Sequence, residues 1–378
     1  MSEDPFDLAP TGFYRRWLMM FSDKAELANV VARLRGTTQD VWIPAWRDVA
    51  QVHEAAGDQF EAAGDHDRAR SEYLLAKTYF AIARFPGEIT PEKAAVSREC
   101  ARAYRKACAH LEPPVQFVGV QHQNLEIRCH LRVPKAGVPV PGVLVMCGSD
   151  VFKEDRGVLQ ELCIAQGMAA LVMDAPGTGE NPFPWEPESV SAWEAAIDFL
   201  MAHPGVDASR IGAYGVSRGG YSVMQLAGVA PAKVQAVVAI AGHPYGNRLE
   251  GEELDAHIAA VNERSTWFFK APGDGPFLDP ITEADVEDER RRWGLSELGL
   301  LDRIDQPVLL INGKLDRLSP ISNLYHAFEY GPVGGKEARV YATGGHAAAE
   351  YAWDWLPASL AWLARKLSAP ESRPTHRN

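Results

Sequence analysis

The sequence predicts an α/β protein in which a helical N-terminal region precedes a doubly wound, mostly parallel β-sheet. Two observations lead to this prediction. In the second part of the chain, short and nearly continuous apolar runs alternate with helix-like stretches, as is typical of parallel strands buried on both faces. In the first part, apolar and aromatic residues recur at three- and four-residue spacing, and no strand pattern interrupts them.

Residues 1–112 are predicted to form a helical N-terminal domain. The helical pattern extends from Phe13 to about His110, and one helix is expected to end at Gly64 where the next begins near Asp65. This hairpin is like a single tetratricopeptide unit, but a repeat array needs about three units. We therefore expect packed helices and no solenoid. Four aromatic residues are expected to pack between helices near the N-terminus: Phe13, Tyr14, Trp17 and Phe21.

The sheet is predicted to begin after Pro113-Pro114, within a domain of residues 113–368 that a flexible tail, 369–378, follows. Residues 115–120 and 125–133 alternate in polarity like two antiparallel strands joined by a turn at Gln123-Asn124. The buried parallel strands are predicted at five apolar runs: 143–146, 170–173, 211–214, 237–240 and 308–311.

The interval 242–305 is too long for a simple connection between the last two of these runs. It is rich in charged residues, Trp and Pro. Long insertions in compact α/β domains are usually lids or binding elements, so a helical cap is predicted here. A surface excursion without a function is the alternative.

Composition excludes several classes of function. The chain of 378 residues has a formal net charge of -12, so it offers no strongly basic surface for nucleic acid. It contains no apolar run of about 18 residues, and its first residues lack the pattern of a secretory signal, so no membrane association and a cytoplasmic location are expected. The 5 scattered cysteines suggest neither a disulfide framework nor a metal site.

The segment Gly215-Val216-Ser217-Arg218-Gly219 predicts a nucleophile elbow. It follows an apolar strand and precedes a helix-compatible stretch, which is the context that presents a serine in a tight strand-to-helix turn. The two glycines are expected to remove side chains that would clash in that turn. This motif in a doubly wound sheet predicts the α/β-hydrolase fold with Ser217 as the nucleophile.

A serine hydroxyl needs a base to accept its proton and an acid to orient that base. In this fold the acid and the histidine follow the serine along the chain. Asp316 and His346 each come after a predicted strand in that order, so we predict them as orienting acid and general base. The alternatives are a helix cap or surface acid for Asp316 and a helix cap for His346.

Attack on a carbonyl also requires donors for the oxyanion. The backbone N–H of Arg218 is predicted as one donor, and Ser149 or Asp150, in the loop after the strand at 143–146, as the other. Cys147, in the same loop, is a poor rival nucleophile because no neighbouring base would lower its pKa.

Three side chains are predicted to line the substrate pocket: Cys147, His243 and Tyr245. His243 is also a second, weaker candidate for the base. The stretch Asp174 to Gly179 contains Gly-x-Gly but lacks the third glycine of a dinucleotide site, so it is predicted to be a turn after a strand.

The chain resembles the α/β-hydrolase group that contains dihydroxypseudooxynicotine hydrolase, the fermentation-respiration switch protein and fungal heptaketide chain-shortening hydrolases. The resemblance rests on the helical segment 69–76, the loop 147–150 with Lys153 and Glu154 after it, and the glycine-rich elbow 215–220. The chain departs from the group where Cys147 replaces a second glycine. It departs again where His243 and Tyr245 follow the strand after which the nicotine-degrading member has a glutamate.

The resemblance implies a helical lid over the strand ends, frequent homodimers and a small-molecule carbonyl substrate. It also implies cleavage, without a cofactor or metal, of a carbon–carbon bond next to a ketone in an aryl-ketone or polyketide-like molecule. The alternatives are a carboxylesterase and a cyclising, dehydrating or acyl-transferring enzyme. A non-catalytic binding protein is disfavoured because it would not need all three residue types of the triad.

Overall fold

The computed structural model describes residues 24–266, 270–275, 278–332 and 335–368. The expected tail 369–378 and the four aromatic residues near the N-terminus lie outside these ranges. None of the described helices combines the length and the apolar character needed to cross a lipid bilayer.

Four helices and their connections make up the described chain from residue 24 to 107. They are α1 (Lys24–Arg33), α2 (Gln39–Ala62), α3 (His66–Ala83) and α4 (Pro91–Ala107). The predicted hairpin at Gly64 is confirmed: its φ of +77° lies in the left-handed region that glycine favours, and the Asp65 side chain caps α3 by accepting the Arg68 N–H at 3.3 Å. Trp42, Trp46 and Tyr79 are fully buried between the helices.

An eight-stranded sheet follows, with the strand order β1-β2-β4-β3-β5-β6-β7-β8. The strands are β1 (Gln116–His122), β2 (Leu125–Arg132), β3 (Val140–Met146), β4 (Ala169–Met173), β5 (Val206–Val216), β6 (Ala236–Ile240), β7 (Val308–Gly313) and β8 (Lys336–Tyr341). β2 pairs antiparallel with β1 and β4, and the other pairs are parallel, which confirms the predicted sheet. Gln123 and Asn124 have φ of +46° and +65°, which suits the turn of a tight hairpin.

Helices cover both faces of the sheet. They are α5 (Gly157–Ala165), α6 (Val190–Met201), α7 (Arg218–Val229), α10 (Ile321–His326) and α11 (Ala352–Lys366). Side chains of β3 alternate between the two cores: Leu144 and Met146 pack on the side of α6 and α7, and Val143 and Val145 on the side of α5 and α11. Burial on both faces explains why these strands read as continuous apolar runs.

The segment between β6 and β7 contains two further helices, α8 (Gly251–Thr266) and α9 (Glu283–Trp293). Leu249, Leu254 and Val286 form a small apolar cluster of their own between these helices. Trp293, at the end of α9, joins the main core on the side of α7. The segment predicted as a cap therefore has its own helical packing and is anchored to the sheet domain.

Candidate active site

Ser217 occupies a strained turn between β5 and α7. Its φ of +59° and ψ of -122° are unusual for a residue with a side chain. A Cβ atom on Gly215 would lie 2.0 Å from the carbonyl oxygen of Gly219, and one on Gly219 would lie 2.3 Å from that of Met146. Both glycines are therefore required by close backbone approach, as the elbow motif predicts.

The structure brings Ser217, His346 and Asp316 together. His346 Nε2 lies 3.0 Å from Ser217 Oγ, and His346 Nδ1 lies 2.9 Å from Asp316 Oδ2. The two ring nitrogens of His346 are thus both engaged, one with the hydroxyl and one with the carboxylate. This is the geometry in which an imidazole can accept a serine proton while an acid fixes its orientation.

Asp316 is built to remain ionised. Burial disfavours its charge, but the charge of His346 and the hydrogen bonds from His346 and from the Ser319 N–H outweigh burial and hold its pKa below the ordinary value. Asp316 Oδ1 accepts the N–H groups of Leu318 and Ser319, each at 2.9 Å. Asp316 therefore also braces its own turn, but it caps no helix.

The loop after β3, residues 147–156, borders the nucleophile, and we call it the β3 loop. A Cβ atom on Gly148 would lie 3.8 Å from Ser217 Cβ and 3.4 Å from the Val216 carbonyl oxygen. The next residues of the loop, Ser149 and Asp150, are the two alternatives for one predicted oxyanion donor. The other predicted donor, the Arg218 N–H, belongs to the first residue of α7. These roles remain predictions.

Two predicted pocket residues are corrected by the structure. The side chain of Cys147 has no exposed surface and packs in the core on the side of α5, because it points to the opposite face of the sheet from Met146. Burial raises the pKa of its thiol well above the ordinary value. Tyr245 is only 1% exposed, and its hydroxyl lies against Gly242 in the opposite core. Neither side chain lines a pocket.

His243 lies next to the triad, beside a second histidine that sequence reasoning missed. Its ring centroid is 5.0 Å from that of His257, which is 2% exposed and whose Nδ1 lies 2.9 Å from the Arg317 carbonyl oxygen. Burial first, and the charges of His257 and His346 next, lower the pKa of His243 to about 3. His243 is consequently too weak a base to replace His346, which corrects its candidacy as a second base.

His243, His257 and Glu289 bring one potential ligand atom each to within 4.8 Å of one another. In the described part of the chain, His257 Nε2 and His243 Nδ1 are buried without a hydrogen-bond partner. Burial lowers the pKa of His257 and raises that of Glu289. Both shifts disfavour the charged form of the side chain. The nitrogen and oxygen atoms of the cluster could bind a metal ion or form hydrogen bonds with a substrate.

Two cationic side chains belong to the surroundings of the serine: Arg218 follows it in the chain, and Arg264 contacts the β3 loop. The Arg218 guanidinium lies 4.5 Å from the ring centroid of Trp185. Arg264, from α8, lies 3.4 Å from Ser149 Oγ and 3.9 Å from Asp150 Oδ2. Sequence reasoning missed Trp185 and Arg264 because neither belongs to a motif. For Arg264, the charged and Trp-rich composition of the segment after β6 was the only signal.

Lys153 of the β3 loop is the centre of a largely buried cluster of charged side chains. Lys153 Nζ lies 2.8 Å from Asp174, 3.0 Å from Glu154 and 2.9 Å from Glu180. The first two of these carboxylates are almost completely buried. A Cβ atom on Gly179 would lie 2.2 Å from Asp174 Oδ2, so the Gly-x-Gly stretch is a turn that wraps this acid, as predicted. It holds no phosphate-loop geometry of its own.

The helical region is joined to the same loop. Asp155 Oδ2 accepts a hydrogen bond from Arg84 at 2.6 Å, and Asp155 Oδ1 accepts one from Lys77 at 3.1 Å. The Arg84 guanidinium also lies 3.5 Å above the Phe152 ring. The Arg84 side chain is 1% exposed, so these are interior contacts. The N-terminal helices and the predicted oxyanion loop therefore share one buried junction.

Comparison with known proteins places the chain in a family. A family model described as "Esterase FrsA-like" matches residues 20–250, more than half of the chain. Among curated proteins, the alpha/beta hydrolase ucsC of Acremonium sp is 29% identical over 58% of this chain and 50% of that protein. The 2,6-dihydropseudooxynicotine hydrolase of Paenarthrobacter nicotinovorans is 24% identical, over 57% and 59%. Esterase FrsA of Vibrio parahaemolyticus is 23% identical, over 60% and 58%.

The chain thus spans between half and three fifths of the length of these curated relatives. The fold extends further than the sequence similarity. The solved structure of 2,6-dihydroxy-pseudo-oxynicotine hydrolase superposes with a TM-score of 0.75 at 19% identity, over 94% of this chain and 95% of that one. That of AbyA5 gives 0.71 at 18%, over the same shares. The chain belongs to the FrsA-like esterase family and has the α/β-hydrolase fold.

Proposed function

We propose that the protein is a serine hydrolase that works through an acyl-enzyme on Ser217. The observation that carries the proposal is the continuous hydrogen-bonded chain from Ser217 Oγ through His346 to Asp316. Neighbouring histidines do not compete, because within the described residues only His346 hydrogen-bonds to Ser217 Oγ.

In the proposed reaction Ser217 Oγ attacks the substrate carbonyl while His346 Nε2 accepts its proton. The ionised Asp316 stabilises the imidazolium that forms. The Arg218 N–H and one N–H of the β3 loop, from Ser149 or Asp150, bind the oxyanion. His346 then returns the proton to the leaving group, and a water activated by the same histidine releases the acid.

We propose a carbon–carbon bond next to a ketone as the bond that is cleaved, in an aryl-ketone or polyketide-like molecule. The similarity to a dihydropseudooxynicotine hydrolase and to fungal hydrolases supports this choice. Such a leaving group departs as a carbanion, so the substrate must delocalise the charge. An ordinary carboxylic ester is the second candidate, and the esterase family to which the chain belongs favours it.

The N-terminal helices are proposed to act as a lid over this site. This role is supported by the buried ion pairs that Arg84 and Lys77 form with Asp155 in the β3 loop. A lid joined to the loop that holds oxyanion donors would couple substrate access to the geometry of catalysis.

Covalent labelling with a fluorophosphonate tests the nucleophile. We expect the label on the peptide that contains Ser217, no label in Ser217→Ala, and slower labelling in His346→Ala. Turnover of any ester substrate should fall by about 10⁴-fold or more in Ser217→Ala. Ser71→Ala, whose hydroxyl bonds only within its own helix, is the matched control. A label on another residue, or equal turnover in Ser217→Ala, contradicts the assignment.

Paired substrates test the bond. The protein is incubated with esters and with β-diketones that share the same acyl group, and products are identified by mass spectrometry. Hydrolysis of the carbon–carbon bond of a β-diketone gives one carboxylic acid and one ketone, so the ketone is the decisive product. Turnover of esters alone would select the carboxylesterase. A product without added water would indicate cyclisation, dehydration or acyl transfer.

A further inference from the structure

The side chain of Arg218, the residue after the nucleophile, packs against a stack of aromatic rings. Its guanidinium stacks over Trp185, and Trp185 stacks in turn on Trp293 with centroids 4.8 Å apart and planes 8° from parallel. Tyr221 packs edge-on against both indoles. A guanidinium held by its face in this way keeps its N–H groups directed outward in its own plane.

The acids around Arg218, Asp150 and Glu289, act on its charge only at longer range. Among the described residues, its guanidinium makes no salt bridge and no side-chain hydrogen bond. Asp316 is engaged by His346, and Asp150 lies 3.9 Å from Arg264. Glu289 is the remaining nearby acid; burial raises its pKa, whereas the charge of Arg218 lowers it.

A poorly compensated cation in a half-buried position is costly. Burial, with the second cation Arg264, lowers the pKa of Arg218 only to about 10, so the guanidinium remains protonated at neutral pH. Arg264 lies on the same side of the site through its contact with Ser149. The Arg218 and Arg264 guanidinium groups therefore repel each other, and an anionic ligand beside Arg218 would offset that repulsion.

The same charges disfavour a metal ion at the neighbouring cluster of His243, His257 and Glu289. Glu289 lies within electrostatic reach of Arg218. A divalent cation held there would be repelled by the guanidinium, whereas the neutral imidazoles would leave a bound anion undisturbed.

We propose that Arg218 binds a carboxylate of the substrate, so that preferred substrates carry an anionic group close to the carbonyl that Ser217 attacks. The proposal rests on the proposed function, because it assigns the substrate class of the same site. A guanidinium matches a carboxylate with two parallel N–H donors, and this pairing selects an acid over its uncharged analogue.

Kinetic selectivity tests the proposal in two arms. In the first, mono-4-nitrophenyl glutarate is compared with 4-nitrophenyl pentanoate, which places the charge on the acyl side. In the second, 4-acetoxybenzoate is compared with 4-acetoxybenzamide, which places it on the leaving group. We expect the anionic substrate to have the higher kcat/KM in one arm, and Arg218→Met to reduce that ratio by about 10- to 100-fold.

The matched control is Arg291→Met. It removes one positive charge from an exposed position of α9, where Arg291 pairs with Glu287. Its ratio should equal that of the wild type. Arg218→Lys keeps the charge but loses the two-donor geometry, so it should restore part of the preference. Equal rates for charged and neutral substrates in both arms, or a ratio unchanged by Arg218→Met, overturns the proposal.

A binding measurement separates this proposal from the proposed function. Ser217→Ala is titrated calorimetrically with glutarate and with glutaramide, and the double variant that adds Arg218→Met is titrated in the same way. We expect glutarate to bind more tightly than the amide, and only where Arg218 is present. Failure of ester turnover with this pattern intact would refute the serine mechanism alone. Equal binding of acid and amide would refute the carboxylate site alone.

Discussion

Asp155→Asn should destabilise the protein strongly at neutral pH. The carboxylate accepts hydrogen bonds from Arg84, from Lys77 and from the Phe152 N–H, and it is 6% exposed. Asparagine keeps the size of the side chain but leaves two buried cations without their counter-charge. Breaking such a buried pair from one side costs about 3–5 kcal/mol.

The pKa of Asp155 gives a second measure. Burial opposes its ionisation, but Lys77 and Arg84 outweigh burial and lower the pKa from 3.8 to about 2. Lowering the pKa of Asp155 from 3.8 to about 2 on folding corresponds to about 2–3 kcal/mol of stability at neutral pH. Because the folded pKa is the lower one, this contribution is present above the unfolded pKa and is lost as pH falls toward 2. At pH 3 about half should remain.

Equilibrium urea titrations of the wild type and Asp155→Asn, at pH 7 and pH 3, measure the effect. Circular dichroism and tryptophan fluorescence should give the same midpoint if unfolding is two-state. Asp198→Asn is the control, because Asp198 also forms an ion pair, with Lys233 at 2.7 Å, but is 57% exposed. It should cost less than about 1 kcal/mol. A loss below about 1 kcal/mol in Asp155→Asn, or an equal loss at both pH values, would refute the reasoning.

Three further changes test other parts of the structure. Gly219→Ala should lower the free energy of unfolding by about 1–3 kcal/mol and slow fluorophosphonate labelling, because the added Cβ would clash with the backbone. Gly275→Ala is the control, since a Cβ there would meet no neighbouring atom. Equal melting temperatures and labelling rates for the two variants would contradict this. The imidazole of His243 should show no NMR titration between pH 8 and pH 5, since its pKa is about 3; a midpoint near 6.5 would show that it is not buried. Lys153→Met should lower the free energy of unfolding, measured by urea titration, by about 3–5 kcal/mol, because three carboxylates lose their cation. Lys135→Met at the surface is the control and should change stability little. Similar losses in the two variants would contradict a buried cluster.

The three residues of the proposed triad could be predicted because each follows a strand of the parallel part of the sheet. Ser217 comes after β5, Asp316 after β7 and His346 after β8, and parallel strands deliver their carboxyl ends to one edge of the sheet. The strand signal itself is local, since burial on both faces produces a short apolar run that can be recognised without any knowledge of distant contacts.

The rest of the site depends on tertiary packing. His257, Arg264 and Glu289 come from α8 and α9, and only the docking of those helices brings them to the triad. No spacing rule encodes such an approach. The erroneous placement of Cys147 in the pocket has a simpler cause: a residue just after a strand was taken to face the site, whereas strand alternation turns its side chain into the core.

The junction at Asp155 has a consequence for engineering this protein. The N-terminal helices supply Arg84 and Lys77, and the β3 loop supplies the acid that holds both. A helical region transplanted from a relative, in order to change which substrates are admitted, would break this pairing unless the matching acid or its replacement were transferred with it. A chimera of two relatives therefore has to take Lys77, Arg84 and Asp155 from the same parent. A crossover at the apparent domain boundary near residue 113 would separate them.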